Sequence, residues 1–391
     1  MAQVDVKTRP PLTALVLTGG GARAAYQVGV LRALSHILPP DCPNPFPIIC
    51  GTSAGAINAA ALASQAINFH QAVRQLVLVW RNFHVDQVYR GDFLGVAKTG
   101  ARWLAALVAG GLGKNNPMSL LDNSPLERLL RERLALDGIQ HAIDAGAVHA
   151  LAITATGYLT GQSVSFFQGA PGMEGWRRAR RIGVPETIRI EHLLASSSLP
   201  FVFPAVRIRR EYFGDGSMRQ IAPISPALHL GAERVLAVSV GSHVSATERR
   251  TTEEYPSFAQ LAGHALNTIF LDTLEVDIER MERINHTVSL IPPEQRAKHG
   301  LQLREVEVLV IRPSEELEPI AARYAHTLPK SIRWLLRGLG ATRHGGATLV
   351  SYMLFEQAYC RALIDLGYKD TLAQRGEILR FISAREPETS D

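Results

Sequence analysis

The sequence predicts an α/β fold with a mostly parallel central sheet, and two β-turn-α units near its start carry this prediction. In the first unit, an apolar run at 13–18 is followed by a glycine-rich turn and by apolar residues at helical spacing. In the second unit, an apolar run at 46–50 leads into a glycine-containing turn and an alanine-rich helix. Strands that alternate with helices in this way favour layers of helices on a parallel sheet.

The first unit ends its strand in three consecutive glycines. The run 13–18 is apolar and β-branched, as buried strands are. Gly19, Gly20 and Gly21 follow, and the helix after them ends at the Pro-Pro pair 39–40. Because successive glycines let backbone N–H groups converge on an anion, we expect these three residues to bind developing negative charge.

The second unit carries a G-x-S-x-G pattern, Gly51-Thr52-Ser53-Ala54-Gly55, between its strand and its helix. Strand, tight turn and helix in this order are the context in which the pattern marks a nucleophile. The small flanking residues let the strand and helix approach, so that the serine hydroxyl projects. The N–H of Ala54, at a helix N-terminus, would help to bind the oxyanion of an acyl-transfer intermediate.

Both turns follow a strand, and sites in parallel sheets form at the carboxyl ends of strands. The first turn also has the spacing of a dinucleotide fingerprint, Gly19-x-Gly21-x-x-Ala24. That reading needs an acidic residue about 20 positions on, at the end of a second strand. The candidate, Asp41, lies between prolines rather than at a strand end. We therefore interpret the first turn as an oxyanion-binding loop.

The rest of the chain continues to alternate strands and helices. Helical patterns cover 65–115, 126–134, 192–198, 258–284 and most of 315–384, and strands are expected at 149–156, 164–167, 206–210, 235–240 and 306–311. Residues 65–115 pack on the sheet, form a cap over the site or form an interfacial element. The arginine-rich cluster 176–181 is either a solvated face or a contact for lipid headgroups.

Composition excludes several classes of protein. The net charge of +5, from 41 Lys and Arg against 36 Asp and Glu, is too small to indicate nucleic-acid binding, although it is compatible with an anionic membrane surface. The three cysteines have neither the spacing of a zinc site nor the number of a disulfide framework. We expect neither metal nor cofactor.

The sequence also indicates a compartment. The first eleven residues lack the apolar segment of a signal peptide, and the longest apolar stretch, 103–113, is shorter than the roughly 18–20 residues of a membrane span. Sparse, unpaired cysteines favour a reducing environment. We expect a cytoplasmic protein, and a peripheral contact with a membrane stays open.

A serine nucleophile needs a base, and two arrangements fit the sequence. One is a Ser-Asp-His triad with Asp215 and one of the downstream histidines His243, His264 and His286. Proteins with that chain order usually place several strands before the nucleophile, whereas here one strand clearly precedes it. The other is a Ser-Asp dyad in which Asp215 alone serves. An aspartate before glycine is also a common turn pair, so Asp215 could be structural.

Taken together, the motifs resemble those of the patatin-like phospholipases. The resemblance rests on the glycine-rich turn followed by Arg23, on G-x-S-x-G, and on the Asp215-Gly216 turn, with the segments 195–200 and 203–204 shortly before it. It covers about 12–240 and extends at most to 312, and it implies a three-layer α/β/α fold. We expect a patatin-like catalytic domain at 12–312 and a helical C-terminal extension of unknown role at 313–391.

The resemblance implies a serine lipid acyl hydrolase that cleaves phospholipids or lysophospholipids without a metal. Ser53 would attack the ester carbonyl with Asp215 as its base, and the turn 19–24 would supply the oxyanion hole. Arg23 would hold this turn or meet a phosphate. Gly51, Gly55 and Gly216 would support the motifs.

The chain departs from the family pattern at two positions. Ala24 stands where glycine is common, and Ser217 stands where the pattern has alanine or glycine. Both residues are small, and neither removes a reacting group. The alternatives are a general esterase or thioesterase with a histidine triad, and a lipid-binding protein whose site has degenerated.

Overall fold

The structure is a computed structural model that describes residues 11–90, 119–242, 257–299, 303–338, 340 and 346–383. Some sequence predictions concern residues outside these ranges. They are the chain start, the apolar stretch 103–113, His243 and the end of the tail after 383.

The described strands form one mixed sheet. They are β1 (Thr13–Leu17), β2 (Ile48–Thr52), β3 (Ala150–Gly157), β4 (Ser163–Gly169), β5 (Trp176–Arg178), β6 (Arg181–Pro185), β7 (Val206–Ile208), β8 (Glu211–Asp215), β9 (Arg234–Val238) and β10 (Glu307–Ile311). Their order is β10-β9-β1-β2-β3-β4-β6-β5, with β8 paired to β3 and β7 to β8. The strands β10, β9, β1, β2 and β3 are parallel, which confirms the predicted mostly parallel sheet.

Helices occupy much of the remaining described chain. They are α1 (Ala25–Ile37), α2 (Ala54–Ser64), α3 (Phe69–Arg81), α4 (Ser124–Arg133), α5 (Asp137–Asp144), α6 (Ile190–Ser196), α7 (Ser225–His229), α8 (Phe258–Asn267), α9 (Thr273–Ser289), α10 (Pro293–Lys298), α11 (Leu317–Tyr324), α12 (Lys330–Gly338), α13 (Ala347–Met353), α14 (Gln357–Ala373) and α15 (Arg375–Ser383). None of these helices is both long and apolar enough to cross a membrane.

The alternation of side chains along β1 produces the three layers. Leu15 and Leu17 pack into a core that includes residues of α1, α2, α3 and α14. Ala14 and Val16 point to the opposite face and join a second core with residues of α7 and α9. Because successive side chains of a strand point to opposite faces, a strand that is apolar throughout needs helices on both sides. The predicted α/β/α layering is thereby confirmed.

Parallel pairing brings the two sequence motifs to one edge of the sheet. β1 and β2 are neighbours in register, with Leu17 opposite Gly51, so the turns that follow them emerge side by side. β8 runs antiparallel to β3, with Asp215 opposite Ala155 near the carboxyl end of β3. The fold therefore gathers three distant segments at the carboxyl ends of β1, β2 and β3.

Two elements have structural detail that the sequence did not predict. The helix expected at 258–284 is interrupted by a π-helical turn, Thr268–Asp272, between α8 and α9. The arginine-rich cluster 176–181 contributes to the hairpin β5–β6, because Trp176 stacks on Phe167 with ring centroids 5.1 Å apart and anchors the hairpin to the sheet. Its arginines 177, 178 and 180 are exposed, which is compatible with both interpretations of the cluster.

The C-terminal helix α14 packs directly on α1. Gly29 lies so close to the backbone of Ile364 that a Cβ on Gly29 would overlap the Ile364 carbonyl oxygen. The Tyr26 hydroxyl donates a hydrogen bond of 3.1 Å to Asp370 Oδ2. The division at residue 312 stays a prediction, but helices on both sides of it share one core.

We expect Gly29→Ala to destabilise the protein by about 1–3 kcal/mol, since the added methyl group must displace the backbone of α14. Denaturant unfolding followed by circular dichroism measures this change. Gly376→Ala in α15 is the matched control, because no atom lies within 4 Å of its added methyl group. The control should be neutral or stabilise by up to about 1 kcal/mol. Equal effects of both substitutions would contradict the packing described.

Candidate active site

Ser53 occupies a tight turn between β2 and α2. Its backbone has φ 56° and ψ −130°, in a region that side-chain-bearing residues rarely adopt. Such strain persists only where the surrounding structure enforces it. Here a Cβ on Gly55 would overlap the Leu17 carbonyl oxygen, and one on Gly51 would crowd the first turn of α2. Both glycines of the pattern therefore allow the close approach that the strained serine requires.

Ser53 and Asp215 form a direct hydrogen-bonded pair. Ser53 Oγ donates to Asp215 Oδ2 over 2.6 Å. Ser53 is 4% exposed and Asp215 is fully buried. The short distance leaves no room for an imidazole between the two side chains. The structure thus brings together the two residues that the sequence suggested as nucleophile and base.

Hydrogen bonds hold both the backbone and the carboxylate of Asp215. Its backbone N–H donates to the Ser198 carbonyl at 2.9 Å, and Oδ1 accepts from the Ser217 N–H at 2.9 Å. The Thr156 hydroxyl donates to the Asp215 carbonyl at 2.8 Å. Gly216 lies against β3, where a Cβ would overlap the Thr154 carbonyl oxygen. These contacts leave Oδ2 directed at Ser53.

Burial raises the pKa of Asp215 to about 6, since the charged form loses its hydration. Hydrogen bonds from Ser53 and Ser217 oppose this rise because they stabilise the carboxylate. A carboxylate with this pKa is mostly ionised at neutral pH and is still more basic than an ordinary aspartate. It can accept the proton of a serine hydroxyl during attack.

The serine run at 196–198 supports both members of the pair. Ser196 Oγ accepts from the Ser53 N–H at 2.9 Å and donates to the Thr154 carbonyl at 2.6 Å. Ser198 supplies the carbonyl that accepts from the Asp215 N–H. Sequence reasoning noted this segment as part of the resemblance and assigned it no role. The unusual run of three serines was the available signal.

The glycine-rich turn (residues 19–24) lies beside the pair. An apolar cavity, described below, opens beside Ser53. Gly21, with φ 54°, and Ala54 line this cavity, whereas Gly19 and Gly20 do not. The N–H groups of Gly19 and Gly20 have no acceptor among the described residues. Which of these N–H groups bind an oxyanion stays a prediction.

The two departures from the family pattern occupy different surroundings. Ala24 is fully buried at the start of α1, where its methyl group is accommodated. Ser217 lies against Gly19, where its hydroxyl occupies the space that a Cβ on Gly19 would need. Its Oγ is buried and has no hydrogen-bond partner among the described residues.

Arg23 is buried and does not line the cavity. It is 1% exposed, and its guanidinium donates to Glu318 Oε1 at 2.7 Å and to Ser351 Oγ at 2.8 Å. The guanidinium carbon also lies 4.1 Å from the centre of the Tyr352 ring. Of the two roles expected for Arg23, these contacts favour holding the turn over meeting a phosphate.

The described candidate histidines lie elsewhere. His264 is exposed on α8 and His286 is exposed on α9. Neither forms a hydrogen bond with Ser53 or Asp215. His243 lies outside the described residues.

A cavity of about 150 Å³ opens beside Ser53 and is mainly apolar. Three helices, α2, α3 and α4, supply much of its wall, together with residues after α6, Phe270 and the segment 352–355. Representative lining residues are Ile57, Ala61, Leu76, Trp80, Leu130 and Phe203. The cavity suits a hydrocarbon chain attached to a carbonyl at Ser53.

Comparison with known proteins identifies the family of the chain. Residues 15–228 match the family model of the patatin-like phospholipases. The chain belongs to the patatin-like phospholipase family.

Two curated relatives match parts of the chain. The cGAMP-activated phospholipase of Pseudomonas aeruginosa is 28% identical over 220 residues, which make up 56% of this chain and 56% of that protein. Patatin-like phospholipase domain-containing protein 7 of Rattus norvegicus is 52% identical over 52 residues, or 13% of this chain and 4% of that protein. The matches thus span about half of the first relative and a small part of the second.

Two solved structures align with the chain at low sequence identity. Human GIVD cytosolic phospholipase A2 aligns with a TM-score of 0.46 at 14% identity, covering 97% of this chain and 61% of that chain. VipD from Legionella pneumophila aligns with a TM-score of 0.37 at 13% identity, covering 94% of this chain and 67% of that chain.

We expect Asp215→Asn to stabilise the protein at neutral pH. The pKa of Asp215 is raised from 3.8 to about 6 on folding, so the wild type loses stability as pH rises through this window. A difference of about two pKa units corresponds to at most about 3 kcal/mol. Denaturant unfolding at about pH 4 and at pH 7.5 measures the effect. A gain equal at both pH values would contradict the assignment to this carboxyl group.

Proposed function

We propose that this protein is a serine lipid acyl hydrolase in which Ser53 is the nucleophile and Asp215 the only side-chain base. The observation that carries the proposal is the direct 2.6 Å hydrogen bond from Ser53 Oγ to Asp215 Oδ2 in a buried site. Membership of the patatin-like phospholipase family supports the reaction class.

In the acylation step, Asp215 accepts the Ser53 proton as Oγ attacks the ester carbonyl. Negative charge then develops on the carbonyl oxygen, and N–H groups of the glycine-rich turn and of Ala54 stabilise it. The positive end of α2 adds to this stabilisation, since Ala54 is the first residue of the helix. The intermediate collapses to an acyl-Ser53 ester, and Asp215 returns the proton to the departing alcohol oxygen.

In the deacylation step, a water molecule takes the place of the alcohol. Asp215 accepts its proton as the water oxygen attacks the acyl carbonyl, and the same N–H groups bind the oxyanion. Collapse releases the fatty acid and returns the proton to Ser53 Oγ. One carboxylate thus serves as base and acid in both halves of the reaction.

The shape and lining of the cavity indicate that the enzyme recognises a long acyl chain of its substrate. Ala54, Ile57 and Ala61 line it at spacings of three and four residues, so they form one face of α2. This face extends about 10 Å from Ala54 to Ala61, at 1.5 Å per residue. An apolar channel of this length favours fatty acyl esters over acetyl esters.

We assign phospholipids or lysophospholipids as the substrate class, in line with the relative from Pseudomonas aeruginosa, which is named a phospholipase. A peripheral contact with a membrane is part of the proposal. Phe201 is 74% exposed in the loop whose neighbours Val202 and Phe203 line the cavity. An exposed aromatic side chain next to a lipid-binding cavity suits the surface of a bilayer.

We expect Ser53→Ala and Asp215→Asn each to lower ester hydrolysis by at least about 10³-fold, because the nucleophile and the base act as a unit. His264→Ala and His286→Ala are the controls and should keep wild-type kcat/KM. Hydrolysis of a chromogenic long-chain ester provides the measurement. A tolerated Asp215→Asn together with a histidine variant that abolishes activity would instead establish a triad.

Activity should fall in acid with the titration of Asp215. The carboxylate must be ionised to accept a proton, so kcat/KM should decrease about tenfold per pH unit below about pH 6. A pH–rate profile with a neutral ester measures this limb. A profile that stays flat down to about pH 4, the ordinary range of an aspartate, would contradict the proposed base.

We expect Ala61→Phe to shorten the acyl channel. Palmitoyl ester hydrolysis should fall at least tenfold, whereas butyryl ester hydrolysis should change less than about twofold, since a short chain does not reach residue 61. The ratio of kcat/KM for the two esters is the readout. Ile67→Phe, at a position that is 61% exposed, is the control. Equal loss on both esters would argue against this path for the chain.

A further inference from the structure

The family match ends at residue 228, yet residues far beyond it reach the glycine-rich turn. Glu318 in α11 and Ser351 in α13 accept hydrogen bonds from Arg23. Tyr352 and Phe270 line the cavity together with Ser53. The helices α11 and α13, called the C-terminal helices below, therefore contact the glycine-rich turn.

The side chain of Arg23 is fixed by groups from the C-terminal helices. Its guanidinium is almost fully buried, and a buried cation is unfavourable unless charged and polar partners surround it. Glu318 supplies the opposite charge at 2.7 Å, and Ser351 accepts at 2.8 Å. The Tyr352 ring faces the guanidinium at 4.1 Å, a distance at which the cation is attracted to the ring.

The backbone of the turn is fixed by the same helices. The Arg23 N–H donates to the Gly20 carbonyl at 3.1 Å, so the position of Arg23 is coupled to that of the glycines. Gly21 adopts φ 54° against the Tyr352 carbonyl oxygen, which a Cβ on Gly21 would overlap. The turn is therefore held both through a side chain and through direct backbone packing.

Tyr352 is itself anchored to the π-helical turn region. Its ring stacks on Phe270 with centroids 5.1 Å apart, and its hydroxyl donates to Asn267 Oδ1 at 2.8 Å. The Phe270 ring lies against Gly19, where a Cβ would collide with it. Tyr352 thus connects Arg23, the glycine-rich turn and the cavity wall.

We propose that Glu318 and Tyr352 are positioning residues that act through Arg23 to hold the N–H groups of the glycine-rich turn towards Ser53. The inference rests on the proposed function, and it makes the C-terminal helices part of the machinery that binds the transition state. Through Arg23 and the turn, these helices would stabilise the oxyanion of the transition state, and they would not change the binding of the substrate in its ground state. Losing them should therefore lower kcat more than it changes KM.

The expected fall in kcat follows from the displacement of the N–H groups that bind the oxyanion. Complete loss of one oxyanion donor costs about 10²–10³ in kcat in a serine hydrolase. Glu318→Gln keeps the shape of the side chain and removes its charge, so the turn should shift without losing a donor outright. We expect kcat to fall at least tenfold for Glu318→Gln and for Tyr352→Leu, with KM for Glu318→Gln within about twofold of wild type.

The chain offers a matched control on a different pair of helices. Arg32 of α1 pairs with Asp365 of α14 at 3.2 Å and lies 4.5 Å from the centre of the Tyr368 ring. This arrangement again combines an arginine with a carboxylate and a tyrosine ring, but its ion pair is exposed and none of its residues lines the cavity. Asp365→Asn and Tyr368→Leu should leave kcat within about twofold of wild type.

The experiment measures kcat and KM of the full chain with a long-chain ester, alongside thermal melting of each variant. Glu318→Asp keeps the charge and should recover at least part of the lost kcat. The inference is overturned if Glu318→Gln and Asp365→Asn have equal kcat, or if the loss only follows the loss of folded protein. A wild type as inactive as Ser53→Ala would refute the proposed function itself.

Discussion

The hydrogen bond between Ser53 and Asp215 is the contact on which the rest of the site depends. A buried carboxylate is costly, and the pKa of Asp215 rises to about 6 because its charge is far from water. That cost is tolerated only because β3, β8 and the serine run hold the carboxylate in place. The same burial makes the group a stronger base than an exposed aspartate would be.

The sheet supplies the geometry for this contact. Parallel strands β1 and β2 deliver two turns to one edge, and antiparallel β8 delivers the aspartate to the neighbouring strand. Ser53 is strained, with φ 56°, and the close approach of Gly51 and Gly55 to their neighbours enforces that strain. The proposed nucleophile and base thus lie at the ends of strands, while the apolar cavity is formed largely by the surrounding helices.

The sequence was most informative where structure is local. A strand, a turn and a helix around Ser53 occupy adjacent residues, so the elbow and its fold class could be predicted from pattern alone. Asp215 was reached through spacing and resemblance, because an Asp-Gly turn has no distinctive chemistry of its own. Glu318 and Ser351 could not be predicted as partners of Arg23, because they lie 295 and 328 residues after it in the sequence and neither belongs to a motif.

The π-helical turn at Thr268–Asp272 has a consequence for how one helix serves two layers. A π-helical turn holds more residues than an α-helical turn and often kinks the helix that contains it. Before and within it, Leu266 and Phe270 belong to the core that contains residues of α2, whereas Leu274 and Met281 after it belong to the core on the opposite face of the sheet. This local change of helical phase lets consecutive helical segments contribute to both cores, while Phe270 within the turn lines the cavity.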